Sequence, residues 1–227
     1  MKHLLFFLVL ASELVFTQKC YVESITGSVR AQIGTNERWT EIQEGIELPP
    51  YSTVSTEKNS SAVLVKGNTK FTLKESAAVT VNNIKKMSVD DLLLALAMED
   101  MLNAPRKKDD AKSKSTQIYG ELNKEEKTNS VSNTEFGLMR LNGAKQLGES
   151  GFRESAIVAA KETYRKYPET KKIISYRIYF ANLLYEKGLY EEAYSEFDSF
   201  KNLAMSEKEK TEISSKMDML NKKLINK

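Results

Sequence analysis

The chain has little of what most enzymes use. Its 227 residues include one histidine and one cysteine. Both, His3 and Cys20, lie in or beside an apolar N-terminal segment, and a chain processed near residue 18 would keep no histidine. Cys–His nucleophiles, Ser-His-Asp triads and most zinc sites are thereby excluded, as is a disulfide framework within one chain. No Gly-x-Ser-x-Gly, P-loop or His-Glu-x-x-His pattern occurs. Ser55-Thr56-Glu57-Lys58 matches Ser-x-x-Lys, but its companion motifs are missing, and a chain this rich in Ser and Lys produces such matches by chance. The acidic pairs Asp90-Asp91 and Glu191-Glu192 are adjacent, so on a helix they diverge by about 100° and do not form an acid–base couple. An excess of one charge is lacking too: 34 Lys and Arg stand against 31 Asp and Glu, a net charge of +3. Nucleic acid, which needs a concentrated basic face, is not an expected partner. The expectation is a non-enzymatic protein with no catalytic residues, metal or cofactor.

A long hydrophobic run is also missing. Lys2 and His3 precede an apolar stretch from Leu4 to Ala11, extended by Leu14, Val15 and Phe16 and interrupted by Glu13. A bilayer span needs about 20 apolar residues, whereas a positive end and a short apolar run read as a secretory signal. Residues 1–19 are assigned to it, with Val15-Phe16-Thr17 a tolerable cleavage site. The protein is expected to be exported, to the periplasm or envelope of a bacterium. Cys20 sits where a lipoprotein carries its lipid anchor, although Lys19 occupies the place of the usual small residue.

Residues 20–86 are β-like. Val29, Ala31 and Ile33 alternate with Arg30 and Gln32, the period of a half-buried strand. Gly34 to Glu37 make a turn, and Arg38-Trp39-Thr40 start the return. Ala62 to Val65 and Lys70 to Leu73 flank Gly67-Asn68, a favourable hairpin turn because both residues tolerate positive φ. Ala78 to Val81 form a further strand, and Pro49-Pro50 must fall between strands. Residues 87–104 read as a helix, N-capped by Ser88, with Asp90 and Asp91 in the first turn and Pro105 past its end. It is apolar on most sides, which predicts burial, against the β domain or across the junction with the helical part. Residues 105–134 are dense in Lys, Asp, Glu, Ser, Thr and Asn and read as a flexible charged linker.

Residues 135–227 are helical and contain an internal repeat. Ala144, Leu147, Gly151 and Ala156 recur as Ala181, Leu184, Gly188 and Ala193, an offset of 37 residues. Each glycine is followed by a bulky residue, Phe152 and Leu189, and Tyr167-Pro168 closes the first unit. Ile213, Met217, Leu220 and Leu224 share one face of a terminal capping helix. The fold class is α+β in separate modules: a small all-β domain followed by a helical-repeat domain.

The repeat resembles tetratricopeptide repeats, whose period is about 34 residues. The resemblance implies that the first helix of each pair lines a groove, which would be formed by Lys145 in the first unit and Ile178, Asn182 and Tyr185 in the second. The β module resembles the FecR domain of envelope proteins through Ile25 to Val29, Trp39, Gly45 to Leu48, Ser52 to Thr56, Asn59 to Ala62, Lys66-Gly67-Asn68 and Phe71 to Ser76, in the family's order. Pro50-Tyr51 stands where the family commonly has Gly-Asp. Members that pair with sigma factors carry a cytoplasmic helical part before a membrane span. This sequence shows none, so the resemblance is to the stand-alone envelope members, without the signalling role.

The resemblances imply a protein-interaction scaffold whose partner is an envelope protein or peptide. The alternative is a module associated with cell-wall glycan or peptidoglycan, with the helices structural. Trp39 discriminates between them: on a concave surface it would be a stacking platform, whereas a lone Trp in a small β module more often belongs to the core.

Overall fold

A computed structural model of the chain describes residues 19–34, 36, 38–104 and 133–225. Residues 1–18 of the signal assigned to 1–19, Pro105 and most of the linker assigned to 105–134 lie outside the described residues. The last two residues of that linker, Asn133 and Thr134, belong to a helix.

Among the described residues, eight strands build two antiparallel four-stranded sheets. One is ordered β4 (Glu47–Leu48), β1 (Cys20–Thr26), β6 (Ser61–Lys66), β7 (Thr69–Leu73); the other is β3 (Trp39–Glu41), β2 (Val29–Gln32), β5 (Thr53–Thr56), β8 (Ala77–Thr80). Alternation sets which side chains turn inward: Val22, Leu64, Phe71 and Leu73 from one sheet and Ala31, Val54 and Val79 from the other are all buried. The β6–β7 hairpin closes through Gly67-Asn68 with Lys66 opposite Thr69, and Gly67 has φ +56°. Pro49 and Pro50 lie between β4 and β5, outside the ladders, where a missing N–H costs no strand bond.

The helices are α1 (Val89–Asn103), α2 (Asn133–Glu149), α3 (Arg153–Lys166), α4 (Ile174–Glu186), α5 (Tyr190–Phe200) and α6 (Glu207–Ile225). The repeat becomes two helix–turn–helix pairs, α2–α3 and α4–α5. In both turns glycine takes the left-handed conformation, Gly151 at φ +90° and Gly188 at φ +78°. The next N–H closes back on the helix: Phe152 donates to the Leu147 carbonyl at 2.9 Å and Leu189 to that of Leu184 at 3.1 Å. Ala144, Leu147, Ala156, Ala181, Leu184 and Ala193 are all fully buried between the helices. Helix α6 packs chiefly on α5 and also touches α4, burying Ile213 and Leu220.

Although the β and helical portions are separate along the chain, their apolar core is continuous in space. Helix α2 lies across β8, and Gly143 makes the approach possible: a Cβ there would strike the Ala78 peptide, with the carbonyl carbon 2.7 Å away. Polar groups fix the seam. The Lys74 N–H donates to Gln146 Oε1 at 2.7 Å, Asn142 Nδ2 donates to the Ser76 carbonyl at 3.0 Å, and Ser155 Oγ donates to the Lys85 carbonyl at 2.8 Å.

Helix α1 corrects an expectation. Its cap is as predicted: Ser88 Oγ accepts from the Asp91 N–H at 3.0 Å, and Asp91 Oδ2 accepts from the Ser88 N–H at 3.1 Å. It packs chiefly on α3, however, rather than on the β domain, and of its apolar side chains Leu92 alone is fully buried. Leu94 is 63% and Met101 78% exposed, and Met98 and Leu102 are exposed as well. Composition records that most sides of this helix are apolar. It does not record that one neighbouring helix can cover only one side.

Candidate functional site

A cleft opens between α1 and α5 over α3 and α4. Its two lobes, of about 480 Å³ and about 260 Å³, meet at Leu96, Asp100, Lys161 and Glu196. Glu196 on α5 organises the floor. Arg177 of α4 donates to its Oε1 through Nε at 3.1 Å and Nη2 at 2.9 Å, while Lys161 of α3 pairs with Oε2. Arg177 also donates to Ser199 Oγ, and its guanidinium lies over the Phe200 ring, 4.4 Å from the centroid. Burial by itself would raise the Glu196 pKa, but Lys161 and Arg177 outweigh it and hold the carboxyl below the usual range. On the α1 wall, Glu99 accepts from Arg165 Nε at 2.7 Å, tying α1 to α3.

Tyr164 of α3 contributes to the wall of the larger lobe. It is 4% exposed, and its hydroxyl has no hydrogen-bond partner. Burial pushes its pKa far up, so at neutral pH the group is an uncharged donor. The smaller lobe is acidic, lined by Asp100, Glu191, Glu192 and Glu196 against Lys161. Among the described residues no group of His, Cys, Asp and Glu is arranged to hold a metal ion.

The residues expected to bind a partner are placed elsewhere. Ile178 is buried. Lys145 pairs with Glu149 and lies over the Tyr179 ring at 5.4 Å from its centroid. Asn182 is half-buried; its Nδ2 donates to Glu212 of α6 at 3.3 Å and its Oδ1 is buried without a partner. Tyr185 packs on Tyr190 with ring centroids 5.5 Å apart, lies beneath Lys216, and borders an open hollow of about 400 Å³ with Met219, Lys222 and Lys223. Helix α6 thus engages both Asn182 and Tyr185. Trp39 stands on β3: half-buried, it meets Phe136 of α2 edge-on at 5.3 Å, and Phe136 meets Tyr167 at 5.9 Å. It serves the seam between sheet and helices. Cys20 is 1% exposed in β1, and burial pushes its thiol up to about 11. A lipid thioether would have no room there unless the first residue of β1 left its ladder.

The cleft residues Lys161, Tyr164, Arg177 and Glu196 were not singled out by sequence reasoning, yet a signal existed. Arg140 and Arg177 share the offset of the repeat. Both are buried and both are ion-paired to the following helix or helices, Arg140 to Glu162 at 3.4 Å and Arg177 to Glu196. A repeated arginine inside a repeated apolar pattern marks a buried pair. The absence of long apolar helices extends to the structure: among the described residues no helix is long and apolar enough to cross a membrane. No family model matches the chain, and no curated protein or solved structure matches it.

Proposed function

We propose that the chain is a non-catalytic scaffold of the bacterial envelope, a FecR-like domain fused to tetratricopeptide-like helix pairs, which docks a protein partner on the outer face of α1. The observation that carries this reading is the exposed stripe Leu94, Met98, Met101 and Leu102. These positions follow i, i+4, i+7, i+8 and lie on one side of the helix. Exposed contiguous apolar side chains mark interaction surfaces, and flexible methionine suits them to a partner's contours. The charges of α1 select the kind of partner. Its sequence holds Asp90, Asp91, Glu99 and Asp100 and no basic residue. Helices that lie on membranes carry Lys and Arg on the polar face, so the complementary occupant is an apolar protein surface with a basic rim. This face is favoured over the α4 face, where α6 already engages Asn182 and Tyr185. A role for Trp39 as a glycan platform draws no support from its packing against Phe136.

A photo-crosslinking residue at Met98, with one at exposed Tyr51 as control, tests the reading in intact cells. The expected result is one protein joined at position 98 and absent at position 51, and lost in a Leu94→Lys/Met101→Lys variant that remains folded. The same products at both positions, or none at position 98, would sink it.

A further inference from the structure

Two surfaces of the chain stand open, and their charges are opposite. The first is the docking face of α1, whose apolar stripe is accompanied by exposed carboxylates, Asp90 and Asp91 in the first turn and Asp100 next to Met101. The second is the hollow of about 400 Å³ between α4 and α6, lined by Tyr185, Met219, Lys222 and Lys223. Met219 is 47% exposed there. Lys216 lies over the Tyr185 ring, 4.8 Å from its centroid, and Lys223 over the Tyr190 ring at 5.9 Å. Other lysines of the helical part are ion-paired, as Lys161, Lys166 and Lys187 are. Among the described residues no carboxylate pairs with Lys216, Lys222 or Lys223. The one acid between them in sequence, Asp218, stands about 100° round the helix from Met219.

We infer that the hollow receives α1 of a second copy of this chain, so that copies associate head to tail. The inference rests on the reading of α1 as a docking face and names its partner. That face calls for an apolar surface with a basic rim, and Tyr185 and Met219 beside Lys216, Lys222 and Lys223 supply one. The unpaired lysines call in turn for an acidic, apolar segment, which α1 is. An anionic membrane would satisfy the lysines and leave the α1 face uncovered. Helix α1 packs chiefly on α3, whereas α6 packs on α5 and α4, and the exposure of Leu94, Met101 and Met219 shows that neither face covers the other within one chain. The two surfaces differ, so the contact is heterologous and each pair of copies keeps one free face at either end. One helix face from each copy makes a small interface, and small interfaces associate weakly.

Sedimentation velocity of the full chain and two variants tests the inference, with circular dichroism to verify that each variant is folded. The wild type is expected to grow beyond a dimer as its concentration rises to about 500 µM, and to shrink again in about 0.5 M salt. Leu94→Lys/Met101→Lys alters α1 and keeps the hollow; Lys222→Glu/Lys223→Glu does the reverse. Each alone should stay monomeric. Mixed in equal amounts, they should form a one-to-one dimer and nothing larger, because one intact α1 then meets one intact hollow. Photo-crosslinking at Met98 in a mixture of isotope-labelled and unlabelled chains needs neither variant: the joined peptide should lie in α6 and should pair labelled with unlabelled chains. Dimerisation of either variant alone, the mark of a two-fold contact, would overturn the inference. So would a mixture of variants that stays monomeric, or a wild type that stays monomeric whether or not it binds anionic vesicles. If the purified chain does not associate while Met98 joins one different protein in intact cells, the docking face stands and self-association falls. If nothing is joined at Met98, both fall.

Discussion

Glu196 shows how a single buried side chain holds three helices. It is 8% exposed and receives Lys161 from α3 and Arg177 from α4 while standing on α5. Glu196→Ala leaves Arg177 buried without its counter-charge and should cost about 3–5 kcal/mol in denaturant unfolding. Its pKa is lowered in the folded state, as is that of Glu162, where burial opposes but Arg140 and Lys166 prevail. A depressed carboxyl contributes stability that is fully present above the unfolded value of 4.5 and is lost as pH falls through the lower folded value. Melting curves from pH 7 downward should therefore steepen below that value in the wild type and be flatter in Glu196→Gln; parallel curves would contradict the assignment. Cys20 makes a second prediction at this scale. Its thiol is buried and protonated at neutral pH, so a thiol reagent should label it only as the protein unfolds. Fast labelling of the native chain would mean that β1 does not hold Cys20 in its ladder.

Among the described residues, α1 is a helix with a single fully buried side chain. Leu92, the Arg165–Glu99 pair and the Ser88–Asp91 cap hold it, and much of its apolar surface faces solvent. Ser88→Ala removes an acceptor for an orphan N–H and should cost about 1 kcal/mol. The loss should be local: hydrogen exchange across Leu92 to Asn103 should accelerate while exchange in α3 changes little. Equal acceleration in both helices would mean that α1 and α3 open as one unit. The cap was legible in the sequence because Ser, then Asp three residues on, satisfies donors whatever lies around the helix. The helix pairs were legible for a similar reason, since Gly151 and Gly188 meet a local demand for positive φ. The face on which α1 would pack was not legible, because leucine reads the same against β8, against α3 or against water.

The whole molecule turns on the seam between α2 and β8. Gly143→Ala would push a methyl into the backbone of Ala78, and overpacking of this kind costs about 1–3 kcal/mol. Trp39 is the single tryptophan and reports on the same seam through Phe136. The variant should therefore melt earlier and show red-shifted emission. Wild-type unfolding followed by Trp39 emission and by far-ultraviolet circular dichroism should coincide, as expected of one cooperative core. Two separated transitions would instead describe modules that fold independently.

Local chemistry was carried by the sequence alone: the strand alternation, the Gly67-Asn68 hairpin, the Ser88 cap, the repeated helix–turn–helix and the scarcity of catalytic side chains. Each depends on a residue and its near neighbours. Only the tertiary structure decided which surfaces meet. It set α2 across β8, set Trp39 against Phe136 of α2, placed α6 against Asn182 and Tyr185, left one face of α1 in water, and gathered Lys161, Tyr164, Arg177 and Glu196 from three helices around one cleft. Those outcomes rest on contacts between residues distant in sequence, where one apolar or charged side chain can serve many partners and only the packing of the whole chain selects among them.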